Sequence, residues 1–67
     1  MMIKVRCQDR CWHVIHPGRI DPMAFASGAV AFDFADALAR EHHAATGLAS
    51  AVRVEAQDAF VDAVRYG

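Results

Sequence analysis

Four side chains near the start of the sequence, Cys7, Cys11, His13 and His16, are of the types that ligate zinc. Zinc needs four converging nitrogen or sulfur ligands, and a Cys-x3-Cys spacing lies within the range such sites use. Cys11 and His13, two residues apart, are also the thiol and imidazole pair that nucleophilic catalysis employs. His42 and His43 are adjacent, so on a helix they diverge by about 100° and cannot share one ion. The four glycines, at 18, 28, 47 and 67, are isolated, which excludes a glycine-rich phosphate loop.

The elements that carry these residues decide what they can do. In residues 2–8, Ile3, Val5 and Cys7 alternate with Lys4, Arg6 and Gln8, the period of a half-buried strand. Asp9-Arg10 reads as a tight turn and Cys11–His16 as a second strand. The register that gathers the apolar set on one face puts Cys7 opposite Trp12, Val5 opposite Val14 and Ile3 opposite His16. Cys7 and Cys11 then point to opposite faces, as do His13 and His16, because successive strand residues alternate sides. At most two of the four ligand types converge. The expectation is therefore two packing cysteines and two strand histidines, with no metal, no cofactor and no Cys7–Cys11 disulfide. No carboxylate is placed to orient a Cys11–His13 pair, so no catalytic residue is expected and the chain is not read as an enzyme.

Beyond this hairpin, Pro17-Gly18 ends the strand, since proline cannot continue the ladder. Asp21-Pro22 can start a helix. Ser27 is the preferred N-cap, with Phe25 in a short extended piece, because Gly28 inside a helix would cost about 1 kcal/mol. The helix then runs over 29–45. At about 100° per residue, Val30, Ala31, Phe34, Leu38 and Ala45 share one face, and Asp33, Asp36, Arg40 and His43 the other. Asp36 and Arg40 are spaced to pair, and Gly47 is a natural C′ residue. The rest reads as a hairpin of 48–56 and 59–66 around Gln57-Asp58. A two-residue turn sets Val54 opposite Val61, Val52 opposite Ala63, Arg53 opposite Asp62 and Glu55 opposite Phe60. The predicted fold is a single α+β domain over 1–67, a two-layer β-β-α-β-β unit with a four-stranded mixed sheet and one long helix on one face. The helical crossover is expected to make the second strand, 11–16, and the third, 48–56, run parallel. The predicted core is Ile3, Val5, Trp12, Val14, Val30, Phe34, Leu38, Val52 and Val54.

Several of these residues carry a family likeness: Trp12-x-Val14 on the second strand, Phe25-x-Ser27, a helix with Ala31, Ala35, Leu38 and Ala39, then Gly47, Val52-x-Val54 and Tyr66-Gly67. The order resembles a family of short bacterial proteins of unknown function with a Trp-x-Val strand, an alanine-rich helix and a Val-x-Val hairpin. The resemblance covers most of the chain. It implies the fold and supplies no catalytic residue.

Composition narrows the function classes. Of the 67 residues 55% are apolar, but 14 are alanine, which contributes little burial each. Chains this short bury only about 60% of their unfolded surface, so a partner chain is a natural supplement. Charged residues make up 22% and the net charge is −1, an ordinary globular balance. Residues 1–20 carry +3 and the remainder −4. Apolar runs fall far short of the roughly 20 residues a bilayer span needs, and the alternating start does not read as a secretory signal. No membrane partner is expected, and the expected location is cytoplasmic.

Two interaction surfaces are legible. The registers above put Cys11, Ile15, Phe60, Val64 and Tyr66 on the sheet face away from the helix, where polar residues are the rule. Exposed apolar patches of this kind mark association sites. Through this sheet face or its edge the chain reads as a small non-enzymatic interaction module, a homodimer or the binder of a protein partner, with Ile15, Phe60, Val64 and Tyr66 the candidate interface. A slipped or bulged second hairpin would instead make Phe60 and Val64 core. The alternative function is weak nucleic-acid binding through Lys4, Arg6, His13 and Arg53, with Tyr66 or Phe60 stacking on bases. The near-neutral charge and the single lysine weigh against it.

Overall fold

The computed structural model describes residues 1–56 and 58–67. Its elements are β1 (Met2–Gln8), β2 (Cys11–Ile15), β3 (Met23–Phe25), α1 (Gly28–Thr46), β4 (Ser50–Ala56) and β5 (Ala59–Tyr66). The strands form one mixed sheet in the order β3-β2-β1-β4-β5, with α1 packed on one face. The fold is α+β, with five strands in place of the four expected. The extra one is the short extended piece ending at Phe25, which pairs antiparallel with β2.

That fifth strand also corrects the expected strand direction. β4 pairs parallel with β1, and β1 pairs antiparallel with β2. β2 and β4 therefore run in opposite directions. β3 reverses the chain before the helix begins, so the parallel crossover runs from β3 through α1 to β4.

The first hairpin has the expected register, with Cys7 opposite Trp12 and Val5 opposite Val14. Asp9 and Arg10 both take positive φ, 53° and 63°, as a two-residue type I′ connection requires. The right-handed strand twist selects that turn even though neither residue is glycine.

α1 is delimited as its end residues specify. Ser27 is extended (φ −117°) and its hydroxyl oxygen accepts from Val30 N–H at 3.4 Å. Gly47 is left-handed (φ 74°) and donates to His43 O at 2.8 Å. At the first helical position a Cβ on Gly28 would lie 2.7 Å from Trp12 Cε2. Glycine there lets the helix start directly on the indole ring.

The helix face differs from the expectation. The fully buried line is Ala31, Ala35 and Ala39, at i, i+4 and i+8. Val30 is 54% exposed and Phe34 37% exposed, so neither belongs to the buried core. Alanine permits the closest approach of helix to sheet, and the bulky neighbours are displaced to the margin. Phe34 instead sets its ring 5.3 Å from that of Phe25 on β3. Ile3, Val5, Val14 and Val52 complete the buried core, with Trp12, Leu38 and Val54 packed against it.

The second hairpin has the expected pairs Val54–Val61, Arg53–Asp62 and Glu55–Phe60. The expected Val52–Ala63 pair is replaced by Val52–Val64, and Ala63 becomes an extra, bulged residue. The expected turn at Gln57-Asp58 includes Gln57, which lies outside the described residues. Beyond the bulge every side chain changes face. Val64 and Tyr66 therefore pack on the helix side, not on the outer face. Tyr66 O–H donates to the Asp36 carboxylate, and His43 stacks against the Tyr66 ring at 6.5 Å. Asp36 and His43, expected on the helix face opposite the apolar one, meet Tyr66 of β5 instead. The Asp36–Arg40 pair does form, at 3.5 Å.

Candidate interaction surface

The face of the sheet opposite α1 carries Lys4 and Arg6 from β1, Cys11, His13 and Ile15 from β2, Arg53 and Glu55 from β4, and Phe60, Asp62 and Arg65 from β5. All four residues expected as nucleic-acid contacts lie here. Lys4 is beside Arg53 in the parallel ladder, and Arg6 is opposite His13. Two of these cations already have acidic partners on the same face. Arg6 reaches Glu55 at 3.2 Å, and Arg53 reaches Asp62 at 2.7 Å. The hydrogen bond from Arg53 holds the Asp62 carboxyl below its ordinary pKa and raises that of the guanidinium. Arg53 also lies over the Phe60 ring, 4.1 Å from its centroid, a geometry favourable for a cation on an aromatic face. Lys4 and Arg65, on the same face, make no ion pair among the described residues, so a polyanion would meet two open cations beside two that already hold carboxylates.

The four residues expected as an apolar interface do not meet. Ile15 and Phe60 are on the outer face but on β2 and β5, with β1 and β4 between them. At about 4.8 Å per strand they stand roughly 14 Å apart. Val64 and Tyr66 are on the helix side. The zinc-type residues are also dispersed. Cys7 faces the helix side and Cys11 the outer face, both as free, exposed thiols. His16 Nδ1 accepts from Gly18 N–H at 2.9 Å. Among the described residues no group of three or more His, Cys, Asp or Glu converges. Among the described residues no helix is long and apolar enough to cross a membrane.

Of the two surfaces expected, the sheet face or its edge, the sequence did not say which edge is open. A sheet edge presents unpaired N–H and C=O groups, which another strand can use. The β3 edge is only three residues long and is preceded by a connection containing Pro17 and Pro22, so little ladder is on offer. The β5 edge is eight residues long. Its second half is blunted by the bulge at Ala63 and by the charge of Arg65. Its first three residues, Ala59-Phe60-Val61, carry neither a bulge nor a charge, and Asp62, which follows them, is already held by Arg53. Phe60 is 59% exposed on the outer face and Val61 is 62% exposed on the helix side. Beside them Val54, Ala56, Ala59, Phe60 and Val61 line an apolar concavity of about 130 Å³. That is smaller than an ordinary small-molecule pocket and of the scale of a protein side chain. A larger groove of about 380 Å³ on the outer face has Arg53, Asp62 and Arg65 among its lining residues.

The signal for this edge lies in residues 59–66, where Val61 and Val64 are three apart and so are Asp62 and Arg65. The apolar and charged phases slip together by one residue, which is what a bulge produces. Comparison with protein-family models, curated proteins and solved structures gives no match to this chain.

Proposed function

We propose that this protein is a non-enzymatic interaction module that self-associates through the β5 edge of its sheet. The observation that carries the reading is the uncharged, unbulged start of β5, where Phe60 and Val61 are exposed on opposite faces of one edge strand. Strand addition at such an edge gains backbone hydrogen bonds and covers alternate side chains at once. It also supplements the burial that a 67-residue chain rich in alanine achieves alone. The nucleic-acid alternative loses support because Arg6 and Arg53 are already matched by Glu55 and Asp62.

An interface of one short strand buries less than about 1,000 Å², the regime of weak, reversible association. Light scattering on the eluting peak should therefore give a mass that rises from one chain towards two as concentration increases. Val61→Lys, which puts a charge on the open edge, should hold the mass at one chain. A wild-type mass that stays at one chain up to about 1 mM would exclude association down to the millimolar Kd range and remove the reading.

A further inference from the structure

The β5 edge specifies its own partner register, an inference that rests on the edge reading above. We infer that two copies pair antiparallel about a two-fold axis at Val61, so that Val61 faces Val61 and each Phe60 faces the partner's Asp62. Three facts on the strand select this arrangement.

The first is parity. Residues directly opposite in a continuous sheet must lie on the same face, and a one-residue slip would put apolar against solvent. Before the bulge, Phe60 and Asp62 are on the outer face and Ala59 and Val61 on the helix side. The axis must therefore pass through a residue; Ala59 closes the turn and Ala63 is the bulge, so a symmetric pair of copies can centre on Phe60, on Val61 or on Asp62.

The second is charge. Centring on Asp62 sets two carboxylates face to face, and centring on Phe60 sets Asp58 against the partner's Asp62. Like charges directly opposite destabilise a sheet. Centring on Val61 avoids both. It also brings the partner's Asp62 beside Phe60, whose ring lies 4.1 Å from the Arg53 guanidinium. Each Arg53, now paired with its own Asp62 at 2.7 Å, gains a second carboxylate nearby, twice in the dimer by symmetry.

The third is length. With Val61 at the axis, Ala59 faces the partner's Ala63, where the bulge ends regular pairing. The ladder thus fits the flat stretch. On the helix side the paired valines cover the mouth of the concavity formed with Val54, Ala56 and Ala59.

Cross-linking with single cysteines reads the axis directly. In a Cys7→Ser, Cys11→Ser background, Phe60→Cys, Val61→Cys and Asp62→Cys each report one of the three centres. Directly opposed strand residues have Cα atoms about 4.5–5.5 Å apart, inside the window for a disulfide. With the axis at Val61, the 60–60 and 62–62 pairs are displaced by two residues and lie roughly 8 Å apart. Oxidised at a concentration where light scattering shows dimer, Val61→Cys should link about tenfold faster than the other two, which fall outside the disulfide window. Fastest linking at 60 or 62, or equal rates at all three, overturns the register while the edge reading stands. Absence of dimer from the parent and from the serine background overturns both. Circular dichroism at low concentration shows that each variant is folded.

Discussion

β1–β2 and β4–β5 are both antiparallel pairs, and they differ in what lies beside their outer strand. β2 has β3 along its free side, and the hairpin lies near the start of α1 with Trp12 against Gly28. β5 has no strand beyond it among the described residues, and the helix reaches it chiefly through Tyr66 and Asp36. The first hairpin keeps one register throughout, and its inward residues are the core. The second changes register at Ala63 and leaves its far half uncovered. The same alternating chemistry thus yields a packed element in one place and an open edge in the other, depending on where the single helix lies on the sheet.

The sharpest way to break this comparison is to truncate one residue in each hairpin. Ile3 on β1 is fully buried, and Val61 on β5 is 62% exposed. Ile3→Ala should cost about 2–5 kcal/mol, a large part of the roughly 3–10 kcal/mol that a chain this size holds in all. Val61→Ala should stay within about 0.5 kcal/mol for the monomer. Urea unfolding at low concentration measures both. Equal losses would mean that β5 is covered in the monomer.

The link between helix and first hairpin gives the next effect. A methyl at Gly28 would meet a rigid indole at 2.7 Å, so Gly28→Ala should destabilise by about 1–3 kcal/mol through overpacking, against its better helix propensity. Trp12→Phe should recover part of that loss by removing the clashing ring edge. If Gly28→Ala is neutral or stabilising, the helix does not rest on Trp12.

The contrast between the hairpins also explains what could be read in the sequence. β1 alternates cleanly, with Ile3, Val5 and Cys7 in one phase and Lys4, Arg6 and Gln8 in the other. Only one register keeps those phases apart, so the expected and observed pairs agree. Ser27 and Gly47 delimit the helix because capping needs a short polar side chain at one end and a left-handed residue at the other. β5 has apolar residues in both phases: Phe60 in one, Val61 and Ala63 in the other. A single-register reading then places Val64 and Tyr66 outside, and only the joint slip of Val61–Val64 and Asp62–Arg65 marks the bulge. The helix face departs from the expected one for a related reason. Side-chain size draws attention to Val30 and Phe34, whereas close packing on a sheet favours the small residues Ala31, Ala35 and Ala39. The candidate surface was least legible, because an edge follows from strand order, which local pattern does not specify.

The tight turn of the first hairpin offers an effect of opposite sign. Arg10 is held at φ 63°, a region that costs a side-chain-bearing residue about 1–2 kcal/mol. Glycine adopts it freely but loses more entropy on folding. Arg10→Gly should therefore stabilise by about 0.5–1 kcal/mol, the residue of those two terms. The substitution leaves the register unchanged, which chemical shifts of Cys7 and Trp12 will show. A destabilised variant would indicate that the turn is not of the I′ kind.

The last contrast is confined to alkaline pH and to the second hairpin. Tyr66 donates to Asp36, and chiefly for that reason its phenol titrates above its ordinary value of 10.0; burial and the Asp36 charge act in the same direction. A raised folded pKa means that the neutral phenol is favoured by folding. Its contribution is fully present below the unfolded pKa and is lost as pH rises through the higher folded value. Wild type should therefore be more stable than Tyr66→Phe at pH 7, and the gap should close above about pH 10. Urea midpoints at intervals from pH 7 to about pH 11 follow the gap through the tyrosine range. A gap that stays constant across that range would show that the hydroxyl does not hold β5 to the helix, and the second hairpin would then be tied to α1 by apolar contact alone.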